Sequence, residues 1–217
     1  MVRRDVPRDV RGRLVAAALG LLEREGPDAV QARRLAREIG ASTTALYHHF
    51  GSMPALLRAV VDEGFSRLGA RMAEVAAGDD PVADICALAL AYREVALENP
   101  HLYDLMFGLG APGGHRPEPA ATAVAAGPAQ EAVIHVVGAV ARAIEHGRLR
   151  PEENAALVAA QLTSMIHGFV SLELAGHFRD IADPVRHVLV PMGVHLLVGL
   201  GDDPDRALRS GLSVLET

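Results

Sequence analysis

The chain has 217 residues, of which half are apolar and 22% are charged, a composition typical of a globular protein. All 21 basic side chains are arginine, so mechanisms that need a phosphate-loop, Schiff-base or kinase-type lysine are excluded. The net charge of −6 is uneven: residues 1–58 carry 10 arginines and 6 carboxylates (+4), and residues 59–217 carry 11 arginines and 21 carboxylates (−10). A basic segment ahead of an acidic one indicates that nucleic acid is bound at one end only.

Cysteine usage and hydropathy indicate where the protein acts. The single cysteine, Cys86, excludes an intramolecular disulfide and any metal or iron–sulfur site that needs several cysteines. Residues 1–10 are charged and are not followed by the apolar core of a signal peptide. The longest charge-free stretch, residues 154–172, contains Asn, Gln, Thr, Ser and His, so it indicates a buried helix and not a membrane span. We therefore expect a soluble, cytoplasmic protein without membrane contact.

The first third of the chain has the periodicity of four helices. Apolar residues recur every three or four positions, and neither alternating strands nor hairpin turns are indicated, so the chain is predicted to be all-α. Gly26 and Pro27 end the first helix, Gly40 ends the second, and Ser42 is placed to cap the third. The predicted helices cover residues 10–25, 32–39, 43–49 and 53–77.

The rest of the chain continues the helical pattern after a turn at residues 78–81. Residues 108–128 are rich in Gly, Pro and Ala without periodicity, which predicts a mobile surface loop. We divide the chain into a smaller domain, residues 1–58, and a larger helical domain, residues 59–217. The helices predicted in this part cover residues 82–97, 100–107, 128–146, 152–177, 184–200 and 204–214.

The second and third helices, joined at residues 40–42, form a candidate helix-turn-helix, in which the second helix of the pair enters the major groove. Leu46 and Phe50 are expected to form the buried face of that helix. Its exposed face carries hydrogen-bonding groups suited to base edges and phosphates, and arginines lie on the preceding helix. The exposed residues are Thr43, Thr44, Tyr47 and His48, and the arginines are Arg33, Arg34 and Arg37.

Two segments, Arg34-Leu35-Ala36-Arg37-Glu38-Ile39-Gly40 and Ala45-Leu46-Tyr47-His48-His49-Phe50, resemble the TetR family of bacterial transcriptional regulators. The resemblance extends from about residue 11 to residue 65. It implies a homodimer that binds a palindromic operator, usually as a repressor, and is released when a small molecule binds the C-terminal domain. Double-stranded DNA and an unknown effector are therefore the expected partners.

The same resemblance assigns roles to the helix pair. Arg33 is similar to a base-reading residue of the family, with a phosphate contact or a solvated surface position as alternatives. Tyr47 and His49 are similar to phosphate contacts, although each ring can also pack beneath the small domain, and His48 can reach bases or backbone. The complete expected DNA-binding set is Arg33, Thr43, Thr44, Tyr47, His48 and His49.

Two positions depart from the family pattern. Met53 stands where the family commonly has a lysine that contacts phosphate. Gln31 stands where it commonly has a serine or threonine that caps the second helix. Both differences weaken the expected anchoring to the DNA backbone, and each phosphate contact contributes about one unit to the salt dependence of binding.

Residues 99–107 and 165–173 resemble, more loosely, a TetR C-terminal domain type named for a Trp-His-Gly motif, although this chain has no tryptophan. Apolar walls with a few polar groups suit a small-molecule site, and filling of the helical core is the alternative. His135 and His167 stand out because a histidine on an apolar helix face needs a hydrogen-bond partner. The candidate effector-binding residues are Tyr92, Met106, Phe107, His135, Met165, His167 and Phe169.

The helices predicted over residues 152–177 and 184–200 are apolar on more than one face, which indicates burial. We interpret two ridges of small residues on them as the isologous interface of a homodimer, and burial inside one subunit is the alternative. The ridges are Leu157, Ala160, Ser164, Gly168 and Leu172 on the first helix, and Val188, Met192, His195 and Gly199 on the second.

No catalytic residue, metal site or cofactor is indicated. His167, His177 and His187 are spaced by ten residues and so do not share a helix face. Hydrolase, zinc-protease and phosphate-loop motifs are absent, which argues against an enzyme. The alternatives to a ligand-released repressor are a transcriptional activator and a DNA-binding regulator that needs no ligand.

Overall fold

The computed structural model describes residues 9–109 and 127–216, and this part of the chain contains helices and no strand. A 3-10 turn covers Pro27–Ala29, and a π-helical turn covers Val185–Leu189. The α-helices are α1 (Val10–Glu25), α2 (Ala32–Glu38), α3 (Thr43–Phe50), α4 (Met53–Ala73), α5 (Pro81–Glu98), α6 (Pro100–Met106), α7 (Pro128–Glu145), α8 (Ala155–Leu174), α9 (Val190–Gly199) and α10 (Pro204–Ser213).

The all-α prediction is confirmed, and two helix ends differ for identifiable reasons. The fourth helix ends at Ala73 and not near residue 77, because the N–H groups of Glu74 and Val75 donate to carbonyls three residues back and no longer continue the α-helical ladder. The helix predicted over residues 184–200 begins as the π turn, because Pro191 has no N–H to continue the regular ladder. Most of the predicted loop at 108–128 lies outside the described residues.

Contacts divide the chain into two compact units, which we call the head unit and the body unit. Among described residues, the head unit contains 9–65 and 99–109, and the body unit contains 66–98 and 127–216. Helix α4 contributes residues to both units, and α6 belongs to the head unit. The functional division into residues 1–58 and 59–217 remains a prediction.

Local capping determines where the head helices begin and end. The Asp9 carboxylate accepts the Gly12 N–H at 2.9 Å to start α1, and Gly26 ends α1 with φ of 79°, a left-handed conformation that favours glycine. Helix α6 approaches α4 closely at Gly64, where an added Cβ would lie 2.7 Å from the Met106 sulfur. The fully buried core of this unit includes Leu14, Leu21, Leu22, Leu35, Leu46, Leu56 and Val60.

The body unit is built from the end of α4 with α5, α7, α8, α9 and α10. Helix α5 packs against α7, α8 and α10, and α9 packs against α10. Asn154 caps α8 by accepting from two backbone N–H groups, and Asp203 caps α10. Phe169, Leu197, Val82 and Val140 are among the fully buried side chains of this core.

Candidate nucleic-acid interface

Helix α3 presents a polar surface on a short and well-anchored element. The Ser42 hydroxyl accepts the Ala45 N–H at 3.2 Å to start the helix, and Leu46 is completely buried. Of the predicted DNA-binding residues on α3, Thr43 is half-buried, and Tyr47 is 48% exposed. Thr44, His48 and His49 are exposed as well, and the two imidazole rings lie edge to face with centroids 5.3 Å apart.

The expectation that Phe50 is a core residue is wrong. Phe50 is half-buried, and the Arg11 guanidinium lies over its ring, 4.9 Å from the centroid. Phe50 is the last residue of α3, one helical turn beyond the buried Leu46. The cation–π contact covers that ring and holds the end of α3 near the start of α1.

A second arginine of α1 holds the turn between α2 and α3. Gly40 has φ of 66°, and the Ala41 N–H donates to the Ala36 carbonyl at 2.8 Å, which satisfies one free carbonyl at the end of α2. The Arg13 guanidinium donates to the carbonyl of Ile39 at 2.6 Å. Arg11 and Arg13 were not singled out from the sequence, because no local pattern shows which turn a distant arginine will reach.

The arginines of α2 fall into two groups. Arg34 forms an ion pair with Glu25 at 2.6 Å, so its charge is partly engaged within the head unit. Arg33 and Arg37 are exposed, and the described residues provide neither with an ion-pair partner. Arg33 therefore keeps its five N–H donors available, as either predicted DNA contact requires.

The two departures from the family pattern have visible local consequences. Gln31 precedes α2 without capping it, since its side-chain amide donates to the Asp28 carbonyl at 3.0 Å. Met53 begins α4 and is half-buried, and the cap of that helix is the Ser52 hydroxyl, which accepts the Ala55 N–H at 3.3 Å. Neither position supplies a charged group or a hydroxyl toward a DNA phosphate.

The candidate effector residues are distributed over both units. Met106 and Phe107 belong to the head unit, where the Phe107 ring contacts Phe65 and Tyr103 with centroids 5.7 and 4.9 Å apart. The other candidates belong to the body unit. Of these, His135 and Met165 are half-buried, and Phe169 is 1% exposed and stacks on Phe178, which is the geometry of a core residue.

Tyr92 and His167 meet inside the body unit. The buried Tyr92 hydroxyl lies 3.3 Å from His167 Nδ1, and burial lowers the pKa of the imidazole, which favours its neutral form. Next to this pair, Arg93 donates two hydrogen bonds of 2.7 Å to the Glu173 carboxylate. The Ser171 hydroxyl, one helical turn beyond His167, is shielded from solvent and has no hydrogen-bond partner within the described residues.

Metal binding and nucleophilic attack are other roles that side chains of a protein can have. Within the described residues, no group of three or more His, Cys, Asp or Glu side chains is arranged to hold a metal ion. Burial raises the pKa of the Cys86 thiol to about 12, so this cysteine is not a nucleophile near neutral pH. By length and composition alone, helix α8 could span a membrane. This is weak evidence for a membrane span, because the helix carries His167 and several other polar residues.

The fold and the geometry of α2 and α3 define a helix-turn-helix transcriptional regulator. Two family models match the chain: "Bacterial regulatory proteins, tetR family" over residues 14–60 and "Tetracyclin repressor-like, C-terminal domain" over residues 85–191. The chain belongs to the TetR family. The narrower Trp-His-Gly type remains a prediction.

Individual relatives agree with this assignment. Rv0681 of Mycobacterium tuberculosis, an uncharacterized HTH-type transcriptional regulator, is 34% identical over 176 residues, which cover 79% of this chain and 73% of that protein. Rv1816 of the same organism, also an HTH-type transcriptional regulator, is 30% identical over 67% of this chain and 60% of its own length.

Solved structures show the same fold. A protein of unknown function from Rhodococcus sp. RHA1 is 29% identical with a TM-score of 0.72, over 93% of this chain and all of that one. RolR in complex with resorcinol is 17% identical with a TM-score of 0.64, over 93% of this chain and 92% of its own, a likeness of fold alone. TetR-family regulators bind DNA and small-molecule ligands, typically as dimers.

Proposed function

We propose that this protein is a ligand-responsive repressor that binds a two-fold symmetric operator as a homodimer and is released by a small molecule. The observation that carries the proposal is the α3 surface, where Tyr47, His48 and His49 are exposed on a helix that Leu46 anchors in the head core. Helix-turn-helix proteins read DNA with such a helix in the major groove.

The DNA contacts proposed for the head unit divide by chemistry. Tyr47 and His49 donate hydrogen bonds to phosphates, which fix register and orientation without reading sequence. Arg33 reads a base, because a guanidinium matches the two acceptors of guanine in the major groove. Thr43, Thr44 and His48 complete the interface with short polar contacts.

An exposed apolar stripe on the body unit supports the dimer. On α8, Leu157 is 64% exposed and Leu172 is 46% exposed, and small residues lie between them on the same face. On α9, Met192 is 39% exposed. Two large exposed leucines on one long helix are costly in water, and a second copy that presents the same stripe covers both.

The effector proposal rests on Tyr92 and His167. A neutral imidazole, the Tyr92 hydroxyl and the unpartnered Ser171 hydroxyl are polar groups in largely apolar surroundings, which suits a mainly apolar molecule with one or two hydrogen-bonding groups. Of the other candidates, His135 and Met165 of the same body unit remain proposed contacts. Met106 and Phe107 of the head unit and the core residue Phe169 stay predictions from the sequence alone. The ligand releases DNA because it binds more tightly to a conformation that does not fit the operator.

As a DNA-binding regulator, the protein acts in the cytoplasm and performs no catalysis of its own. The proposed function consists of binding DNA, a small molecule and a second copy of the chain, and none of these steps needs a cofactor.

Selection of operator sequences from random duplexes tests this function with the full chain. We expect an enriched two-fold symmetric sequence whose half-site centres lie about 34–36 Å apart or a multiple of that distance. Light scattering of the complex should give an even number of chains for each site. Absence of enrichment, or an asymmetric site occupied by one chain, would contradict the proposal.

A second measurement separates the ligand-responsive repressor from its alternatives. A panel of small apolar molecules with polar groups is screened for increased thermal stability and then for release of the selected operator. At least one compound should do both, and its effect should fall in Tyr92→Phe and His167→Gln. A panel without any such compound favours a ligand-independent regulator, and increased transcription from an operator-linked promoter indicates an activator.

A further inference from the structure

A polar cleft in the body unit lies apart from every residue assigned above. It is formed by the turn before α5, the end of α7 and one face of α10, and its volume is about 730 Å³, within the range of small-molecule sites. The residues that line it are Asp79, Asp80, Pro81, His146, Arg148, Arg206, Arg209, Ser210 and Ser213.

The floor of the cleft is an ion-pair network with a buried centre and one partly exposed carboxylate, Asp80. Arg148 is 3% exposed and donates two hydrogen bonds of 2.7 Å to Asp202, whose side chain is 1% exposed. Arg148 also pairs with Asp80 and donates to the Ser210 hydroxyl at 3.1 Å. The Ser210 hydroxyl in turn donates to Asp80 at 2.6 Å.

The floor is therefore fixed by several hydrogen bonds, with the single Arg148 guanidinium facing two carboxylates. Burial by itself raises the pKa of Asp80, but the Ser210 hydrogen bond and the Arg148 charge together bring it below the ordinary value. The network joins four separate segments of the body unit: the starts of α5 and α10, the α7–α8 connection and the middle of α10. A cleft held on four sides does not need to be ordered by its ligand.

The rim of the cleft carries positive charge that the protein leaves unmatched. Arg206 and Arg209 lie on one face of α10, three residues apart, and both are exposed. The described residues offer neither guanidinium a carboxylate within ion-pair distance. His146 adds a third nitrogen group from the end of α7.

We propose that this cleft binds a small organic anion, with a carboxylate or phosphate held between Arg206 and Arg209. Guanidinium groups bind both kinds of oxyanion with paired, charge-assisted hydrogen bonds. The exposed Asp79 also lines the cleft and repels a long polyanion, so the ligand is compact and carries one or two negative charges. This site is distinct from the proposed effector region at Tyr92 and His167 and does not depend on DNA binding.

Calorimetric titration with succinate and with inorganic phosphate tests the site, in a buffer containing about 50 mM chloride so that exposed charges are only partly screened. Succinamide, which has the shape of succinate without its charge, is the control ligand. The test protein carries Arg206→Gln and Arg209→Gln. The control protein carries Arg179→Gln and Arg186→Gln, which removes two exposed charges elsewhere in the body unit.

We expect saturable binding of at least one anion, no binding of succinamide, and at least about a tenfold loss of affinity in the test protein, equivalent to about 1.4 kcal/mol. The anion affinity of the control protein should stay within about twofold of the wild-type affinity. The stronger of the two anions identifies the ligand as carboxylate or phosphate. If the test protein fails to fold, amide signals of the wild type at residues 146–148 and 206–213 should still shift selectively during titration.

Several results would overturn the site: no saturable binding by the wild type, equal losses in the two double variants, or shifts spread evenly over the body unit. Operator binding measured on the same samples keeps the two proposals separate. Loss of anion binding with normal operator binding removes only this site, and the reverse removes only the proposed function.

Discussion

The two units use the same cation in opposite ways. In the head unit, the Arg24–Glu38 pair is formed by side chains that are 56% and 46% exposed. In the body unit, the Arg148–Asp202 pair is formed by side chains that are 3% and 1% exposed. Surface pairs contribute little to stability, whereas a buried pair leaves an uncompensated charge when one partner is lost. In these two pairs, arginine forms an exposed surface contact in the head and a buried link between segments in the body.

The buried pairs of the body also depend on the shape of the arginine side chain. Body arginines form paired hydrogen bonds with carboxylates, as Arg93 does with Glu173, and a lysine ammonium cannot reproduce this two-point geometry. Head arginines such as Arg33 are left exposed without a partner among the described residues. The net charge of −10 over residues 59–217 comes from the excess of carboxylates over arginines, 21 against 11, and not from these ion pairs.

The largest expected effect comes from breaking one pair in each unit. Arg148→Ala leaves Asp202 buried without its cation, and we expect the free energy of unfolding to fall by about 3–5 kcal/mol. Arg24→Ala removes an exposed pair and should cost less than about 1 kcal/mol. Urea unfolding of both variants measures the difference. Equal losses would show that burial does not distinguish the two units.

Substitutions in the exposed stripe of α8 should prevent dimer assembly through the body unit and leave the fold of the head unit intact. Leu157→Glu with Leu172→Glu places two carboxylates on the proposed dimer face, and light scattering should detect monomers of normal helix content. Operator affinity should fall by at least about a hundredfold, or about 2.7 kcal/mol, because one head unit binds alone. Ile134→Glu, on an equally exposed apolar residue of α7, is the control. A dimer that survives the double change excludes this stripe as the interface.

A smaller effect is expected where the head lacks a phosphate anchor. Met53→Lys should tighten operator binding and steepen the plot of log affinity against log salt by about 0.9 for the added contact. Met53→Gln, which adds length and polarity without charge, should leave the slope unchanged. Equal slopes for the lysine variant and the wild type would remove Met53 from the DNA interface.

The smallest effect is a difference in acid sensitivity. The pKa of His167 in the body is lowered by burial, so the unfolded chain binds more protons and stability decreases as the pH falls through about 6.5. His167→Gln should reduce this loss of stability, as measured by urea unfolding between pH 7.5 and 5.5.

The pKa of Asp104 in the head is raised by burial, so its charged form destabilises the fold and acid relieves that cost. Asp104→Asn should therefore stabilise the protein at neutral pH, and destabilisation there would contradict the assignment.

Local signals account for what could be predicted from the sequence. Ser42, Gly26 and Gly40 determine helix ends through their own backbone and side-chain chemistry, so the ranges of α1 to α3 were predicted closely. The polar face of α3 was equally visible, because it depends only on helical spacing. Phe50 was misjudged because its cover is a cation from α1, and the pattern of α3 contains no sign of it.

Contacts distant in sequence could not be predicted. Asp80 and Ser210 are 130 positions apart, and their hydrogen bond, together with Arg148 and Asp202, creates the floor of the polar cleft. Each of these residues looks like an ordinary surface group in its own segment. The His167 pairing was anticipated only as a need for some partner, and packing of α5 on α8 supplied Tyr92.

The central claim is that the exposed end of α3 contacts DNA, and Tyr47→Ala tests it most directly. Because Tyr47 is 48% exposed, the variant should keep the thermal stability and oligomeric state of the wild type. Glu23→Ala, at an exposed position of α1, is the matched control and should bind the selected operator normally. Gel shift beside light scattering should show that Tyr47→Ala loses operator binding while its assembly is unchanged. Binding at wild-type affinity by Tyr47→Ala would contradict the account.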